Sequence, residues 1–573
     1  MPVARLRLGF LLVAMVLSIF AARLVQLQGL DPNSYAKLAT AKDVVNKTLP
    51  AARGEILDRN GVVLAGSVSG RMVLADPFQT ADDAPELARV LADELGVDYF
   101  ATLNKLRKKG SRFEYIARRV PAADARDLRE LLKEKKLAGV WLDDDPIRDY
   151  PAGDVAANLV GFMGTDEPLA GFELTFDQHL QGKDGHSRYT QGHGYKVPLA
   201  ENSTVEPVNG KALRSTVDRE LHWYVQKVLS QTVEDYRAKS GVAIVQDVRT
   251  GELLVVADAP TFDANNPGES PSADLGSRAV SDVFEPGSVQ KVLTAAALVD
   301  DGKVKATTKL RIPSALKRQD RTIGDWFDHG TLKLTMAGVI AQSSNIGTVL
   351  AADSMGTRQF HDYLAKFGLG TKTGIGARGE AKGLLPSVAS TTSQNKDRMV
   401  FGQSMSVTAV QMATAVNAIA NGGVRVSPSL VKGSVKTDDG TLVGTDHTTR
   451  ERVVSEKAAR ETMLMMERVV DAEVGVAPRA QVPGYRVAGK TGTAQRVDEE
   501  CGCYDGSYSL SFGGFAPADD PRFTVYVVIH APGVDGGGGS VAGPAFSKIM
   551  ARALERYGVA PSGAEPNQTP TEW

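Results

Sequence analysis

The distribution of apolar and polar positions divides the chain into one membrane-type segment and a long globular remainder. From Leu8 to Ala22 no residue carries a charge, and Leu24 to Leu30 continues the apolar character past the single Arg23. A helix from Leu6 to Gln28 covers 23 positions, about 34 Å at 1.5 Å per residue, enough to cross a roughly 30 Å hydrocarbon core. Arg23 can snorkel to the far interface. Arg5 and Arg7 precede the segment, so the positive-inside rule keeps residues 1–7 cytoplasmic and exports everything after about residue 30. A cleaved signal peptide is the rival reading, since Ala21 and Ala22 are small. Apolar Leu24, Val25 and Leu27 follow without a small-x-small site, so residues 8–28 read as an uncleaved anchor.

Beyond the anchor, strand-like and helix-like periods alternate. Asp58-Arg59-Asn60-Gly61 ahead of Val62-Val63-Leu64 predicts a hairpin, because Asn-Gly favours the positive φ angles of a type I′ turn. Residues 81–139 read as helices, with apolar residues at three and four spacing in Ala84 to Leu95 and Ala122 to Leu137. Residues 140–213 mix glycine, aspartate and short apolar runs. Ser215 to Asp218 then caps a helical run through Leu229, and Gly241 to Ala257 predicts a hairpin turning at Thr250-Gly251. Helices are predicted over Pro286–Val299 and Lys333–Ser354. Three β-like runs, Tyr485–Gln495, Tyr508–Ala516 and Arg522–His530, have short connections and predict an antiparallel sheet. With the helices between, the class is mixed α/β. The tail from Gly558, rich in Pro, Gly, Ser and Thr, predicts disorder.

Composition narrows the function classes. A chain of 573 residues holds two to four folding units at roughly 100–200 residues each. Lys plus Arg is 66 against 68 Asp plus Glu, which gives no global attraction to nucleic acid. The basic runs Arg107–Lys109 and Lys133–Lys136 lie among helix-period leucines and read as solvated helix faces. Cys501 and Cys503 are the two cysteines, too few for a disulfide scaffold or a four-thiolate zinc site. A small-ring disulfide and free thiols both stay open for them; no metal and no cofactor are expected.

The candidate chemistry is nucleophilic. Phe284-Glu285-Pro286-Gly287-Ser288-Val289-Gln290-Lys291 places a serine and a lysine three apart at the start of a helix, where an amine can take the proton of the hydroxyl. The same spacing recurs at Ser34/Lys37, Ser314/Lys317, Ser393/Lys396 and Ser429/Lys432. Of these, only Ser288 opens a long apolar helix; Ser393 and Ser429 read as loop residues. Ser343-Ser344-Asn345 supplies a hydroxyl and an amide two apart, able to relay a proton and hold a substrate amide, and Ser393-Gln394-Asn395 is its rival. Lys490-Thr491-Gly492-Thr493 places a cation, two hydroxyls and a flexible glycine in a strand, suited to a carboxylate beside exposed backbone. Lys372-Thr373-Gly374 repeats the pattern between glycines that argue for a loop.

Ser-x-x-Lys, Ser-x-Asn and Lys-Thr-Gly in that order resemble the signature of penicillin-binding proteins and class A β-lactamases. Arg53 to Gly61 resembles the opening motif of class B penicillin-binding proteins. Arg23 to Gln28 with the Cys501-Gly502-Cys503 insertion looks most like septal FtsI-type enzymes of actinobacteria. The resemblance implies an anchor at 8–28, an elongated α+β pedestal at 44–214, a transpeptidase domain at 215–557 with an antiparallel sheet flanked by helices, and a disordered tail at 558–573. It implies cross-linking of peptidoglycan stem peptides ending in D-Ala-D-Ala through an acyl-enzyme on Ser288, with inhibition by β-lactams. Lys291 would be the base, with its pKa lowered by crowding from Lys490. Ser343 would pass the proton on, Asn345 would bind the peptide amide, and Lys490, Thr491 and Thr493 would hold the terminal carboxylate, with Gly492 between them. Backbone N–H groups of Ser288 and Thr493 would form the oxyanion hole. A membrane-embedded SEDS-type glycosyltransferase and other division proteins are the implied partners. Gln290 departs from the family, in which this slot is often aromatic. Arg53, Glu55, Asp58 and Glu173 read as structural. A β-lactamase, or a membrane-tethered β-lactam-binding scaffold or sensor, are the competing functions.

Overall fold

The computed structural model describes residues 2–26, 44–192, 195–196, 202–319, 321–497, 501–563, 565 and 567–573. Helix α1 (Pro2–Val25) contains the apolar stretch Arg7–Val25, long and apolar enough to cross a membrane and with none of it buried against the rest of the protein. The last two residues of the predicted anchor, and the Ser34/Lys37 pair, lie outside the described residues. The remainder forms two compact units whose segments interleave. One comprises residues 1–53, 68–147 and 181–210, the other 54–67, 148–180 and 211–573. A single boundary near residue 214 therefore does not describe the path of the chain.

In the smaller unit, strand Gly70–Ala75 runs antiparallel between Glu114–Pro121 and Val140–Asp144. Helices Ala84–Leu95 and Ala122–Glu134 bury Leu87, Leu91, Ala125 and Leu128 in one core with Val73 of the central strand. The helical reading of 81–139 fails at 114–121. Ile116 and Val120 are its buried residues, and a spacing of four satisfies a helix face and a strand face alike, so pairing to Gly70–Ala75 decides.

The larger unit is built on a five-stranded sheet: β1 (Ser240–Asp247), β2 (Leu253–Ala259), β3 (Ala488–Val497), β4 (Tyr504–Ala516) and β5 (Phe523–His530), in the order β2-β1-β5-β4-β3 and antiparallel throughout. Every residue of β1, β2 and β5 is buried, as required of strands covered on both faces. The helices that matter here are α2 (Arg219–Asp235), α3 (Gln290–Asp300), α4 (Met336–Ala341), α5 (Asn345–Ala352), α6 (Ala409–Ala420), α7 (Glu456–Glu467) and α8 (Gly538–Arg556). Helices α2 and α8 pack on each other and on the sheet, while α3 packs with α6 and α7.

The N-terminal motif belongs to this unit. The predicted hairpin forms, Ile56–Leu57 pairing with Val63–Val68, but within its turn only Gly61 takes a positive φ, 89°, so the turn is not type I′; the buried Asp58 carboxylate fixes it by accepting from Asn60 N at 2.7 Å and Val62 N at 2.8 Å. Arg59 reaches Glu252 at 3.1 Å and Tyr557 at 2.5 Å. Glu173 is fully buried and accepts from Arg148 Nε at 2.6 Å, with the two side chains 0% and 5% exposed. Removing one partner strands a charge in low dielectric. Arg148→Met is therefore expected to destabilise this unit by about 3–5 kcal/mol, read as a lowered urea midpoint at unchanged slope.

The tail departs from its composition. Residues Asn567–Trp573 are placed against the larger unit, with Glu572 bridging Leu334 and Thr571 buried. Low hydrophobicity argues for disorder only when no backbone edge is on offer. Here the strand Leu332–Thr335 supplies one, and Trp573 supplies an indole N–H to Leu334 O and a ring for Lys309 and Lys333, which composition averages away.

Candidate active site

The chain enters α3 through the turn Gly287–Val289, so Ser288 stands one turn before Lys291 on the same helix face. Ser288 is half-buried, whereas Lys291 is wholly buried. The predicted helix Lys333–Ser354 is broken: Leu332–Thr335 is a strand, and α4 and α5 are separated by Gln342–Ser344. Ser343 takes a left-handed φ of 59°, and the Ser344 hydroxyl accepts from Gly347 N at 2.9 Å as the N-cap of α5. Serines that cap compete with a continuous helix. The break turns Ser343 toward the two lysines. Lys291 Nζ donates to Ser343 O at 2.6 Å and to its Oγ at 3.3 Å. Lys490 Nζ, from β3, donates to the same Oγ at 2.9 Å and to Thr491 Oγ1 at 3.0 Å.

Strand β3 lies against the start of the helix because Gly492 has no side chain. A Cβ there would sit 2.2 Å from Ser511 Oγ and 3.1 Å from Pro286 O. Alternation along β3 then points Thr491 and Thr493 into a cleft of about 720 Å³ shared with Ser288, Ser343 and Asn345. The structure thus brings together Ser288, Lys291, Ser343, Asn345, Lys490, Thr491, Gly492 and Thr493. Asn345 Nδ2 donates to Gly324 O at 3.0 Å.

Burial governs the electrostatics. Lys291 is pushed down to about 7, chiefly by desolvation, with Asp325 opposing. Lys490 is lowered well below the usual lysine range by desolvation first and then by the Lys291 charge. Desolvation is thus the leading cause for both amines, and it brings Lys291 near neutrality as a base. Among the described residues, no carboxylate acts on Lys490.

The rival motifs resolve in different ways. Lys372-Thr373-Gly374 lies in an irregular segment away from the cleft. Ser393 opens a helix, Ser393–Met399, contrary to the loop reading; Thr392 caps it, and Lys396 Nζ donates to Ala352 O at 3.0 Å and Met355 O at 2.5 Å. Its Gln394 and Arg398 line the cleft without joining the lysines. Its residues are polar all round, so no apolar period marks it as helical. Asp325 escaped the sequence reading altogether. Its buried carboxylate accepts from Ser344 Oγ at 2.6 Å, Ile346 N at 3.0 Å and His329 Nε2 at 3.1 Å, holding the turn that carries Ser343. The i, i+4 spacing of Asp325 and His329 was its one signal. Gly536–Gly539 also line the cleft; the glycine run itself could have flagged them. Cys501 and Cys503 are disulfide-bonded to each other at the tip of the β3–β4 hairpin.

Chemically the site holds the elements acyl transfer uses: a half-buried hydroxyl one helical turn from an amine lowered to about 7, a second hydroxyl shared by two amines, and a second buried amine, Lys490, beside the Thr491 hydroxyl. Residues 241–551 match the penicillin binding protein transpeptidase domain and residues 48–168 the penicillin-binding protein dimerisation domain. The chain is 34% identical to the penicillin-binding protein PbpB of Mycolicibacterium smegmatis over 97% of its own length and 91% of that protein's. It is 31% identical to the peptidoglycan D,D-transpeptidase FtsI of Escherichia coli over 96% and 91%. Among solved structures, penicillin binding protein 3 of Mycobacterium tuberculosis complexed with aztreonam aligns with a TM-score of 0.71 at 30% identity, covering 92% of this chain and 100% of that one. The chain belongs to the class B penicillin-binding proteins.

Proposed function

We propose that this chain is a peptidoglycan D,D-transpeptidase that cross-links stem peptides through an acyl-enzyme on Ser288 and is inhibited covalently by β-lactams through a long-lived adduct. The observation that carries the reading is the convergence of Lys291 and Lys490 on Ser343 Oγ beside Ser288 in one cleft. Neutral Lys291 takes the Ser288 proton as Oγ attacks the carbonyl of the penultimate D-Ala. The C–N bond to the terminal D-Ala breaks, and the proton passes through Ser343 to the leaving amine. An acceptor amine then attacks the ester, loses its proton by the same route and returns Ser288 to its hydroxyl form. Backbone N–H groups of Ser288 and Thr493 receive the oxyanion, each such donor lowering the barrier by roughly 3 kcal/mol. Asn345 binds the peptide amide. The terminal carboxylate goes to Lys490, Thr491 and Thr493, which fits a buried amine with no carboxylate of its own; the incoming anion restores its proton.

In this reading the pedestal draws on residues 44–214 and the catalytic domain on 215–557, with 54–67 and 148–180 of the first range belonging to the larger unit. The Arg7–Val25 helix is a single-pass anchor with its N-terminus cytoplasmic, supported by Arg5 and Arg7, and the catalytic domain works outside the membrane. Septal FtsI-type action, with a SEDS-type glycosyltransferase and other division proteins as partners, follows from the family resemblance.

Full-length protein treated with benzylpenicillin and digested is expected to carry the drug mass on the peptide containing Ser288, with an adduct lasting many minutes. Rapid hydrolysis of the drug would identify a β-lactamase, and an adduct on another residue would refute Ser288 as nucleophile.

A further inference from the structure

The segment Asn567–Trp573 lies beyond the matched transpeptidase region, 241–551, yet it touches the element that carries Ser343. Thr335 N donates to Thr571 O at 2.9 Å and Trp573 N to Lys333 O at 3.2 Å, so the segment adds an edge to the strand Leu332–Thr335. Thr335 is also the N-cap of α4. Its hydroxyl accepts from Gly338 N at 3.1 Å and donates to Pro570 O at 2.6 Å. At the other end, Asn567 Nδ2 donates to Leu464 O in α7 at 2.5 Å, and Asn567 O accepts from Arg468 at 2.8 Å. Trp573 closes the far end: its indole N–H reaches Leu334 O at 3.2 Å, and Lys309 and Lys333 lie 5.0 and 5.6 Å from the ring centroid.

Helix α4 has only six residues, too few to hold its own axis, since isolated helices of this length do not persist. Its C-terminal end runs straight into the left-handed Ser343, with Gln342 N bonded to Gly338 O at 2.9 Å. Gly338 is the contact point: a Cβ there would fall 2.0 Å from Thr571 O. We propose that Asn567–Trp573 is a positioning strap that clamps α4 between α7 and the strand before it, and so holds Ser343 at its shared distance from Lys291 and Lys490. The strap touches neither substrate nor the reacting atoms. Misplacing a proton-relay group by about 1 Å costs on the order of 100-fold in rate, and loss of the strap is expected to slow acylation by roughly 10- to 100-fold. The inference rests on Ser288 being the acylated residue.

The test compares the full chain with a chain ending at residue 566 and with Gly338→Ala, reading both the second-order rate and the final extent of labelling by a fluorescent penicillin. The expected result is a slow rate with near-complete final labelling in both variants, partial recovery of the truncated chain by a synthetic peptide of residues 567–573, and no further slowing when Gly338→Ala is added to the truncation. An unchanged rate in the truncated chain overturns the proposal. So does a normal rate at reduced extent, which reports unfolded molecules, and so do additive effects of the two changes. If the unaltered protein is not labelled at Ser288, the functional reading fails instead, and the two failures are distinct.

Discussion

Ser288→Ala is expected to abolish covalent capture of fluorescent penicillin while leaving the fold and thermal stability essentially unchanged. The hydroxyl is half-buried at the cleft and caps no helix end, so its removal strands no partner. Its stability cost should stay within about 0.5 kcal/mol. Without Oγ no ester can form at this position, and Ser343, the cleft hydroxyl that accepts from both Lys490 and Lys291, sits in the turn between two helices. The carboxylate-binding groups Lys490, Thr491 and Thr493 remain, so weak reversible binding should survive and be visible as competition with no band on a denaturing gel. A band that persists on the variant would move the nucleophile elsewhere. Cells that divide normally on Ser288→Ala but fail when the whole chain is depleted would instead establish a scaffold whose serine is vestigial.

Lys291→Met should slow acylation of Ser288 by about 100- to 10,000-fold, the usual contribution of a positioned base. The wild-type rate is expected to rise with pH through about 7, where Lys291 loses its proton, and then to level. In the variant that step should vanish. Stability moves the other way. Folding lowers the Lys291 pKa from its ordinary value near 10.5 to about 7, so between those values the unfolded chain binds the extra proton. Wild-type stability therefore rises with pH across this window, and the penalty is fullest below it. Lys291→Met removes a buried cation for an apolar chain of similar length. It should melt higher than wild type at pH 6, with a smaller gap at pH 9. A variant that keeps both the rate and its pH step would remove Lys291 from the base role.

The parts of the site written in local periodicity were legible. The apolar run after Ser288 predicted α3, and the β-like run Tyr485–Gln495 predicted β3, with short connections giving the antiparallel neighbours β4 and β5. What local pattern cannot encode is convergence: Lys291 and Ser343 are 52 positions apart, and Ser343 and Lys490 are 147 apart. Only the order of three short motifs suggested that they meet. The break before α5 was illegible because Met336 to Ala352 is apolar enough to read as one helix. It is set by the left-handed Ser343 and by the Asp325 carboxylate, whose role depends on groups 19 and 21 residues away. The helix at Ser393 was missed for lack of any apolar face. The tail was misread because composition averages over Trp573. That burial is the leading cause of the lowered lysine pKa values required knowing that both amines are dry, which a list of charges does not supply.

Strand β3 ends the five-strand order and, among the described residues, pairs on one side with β4 alone. A strand without a second neighbour ordinarily offers its main-chain donors and acceptors to promiscuous sheet extension, but here Ala488–Gly492 are buried and the turn Gly287–Val289 packs against the strand. Its Thr491 and Thr493 line a recess that Gly536–Gly539 line without side chains. Burial of Ala488–Gly492 therefore guards this edge against sheet-to-sheet aggregation.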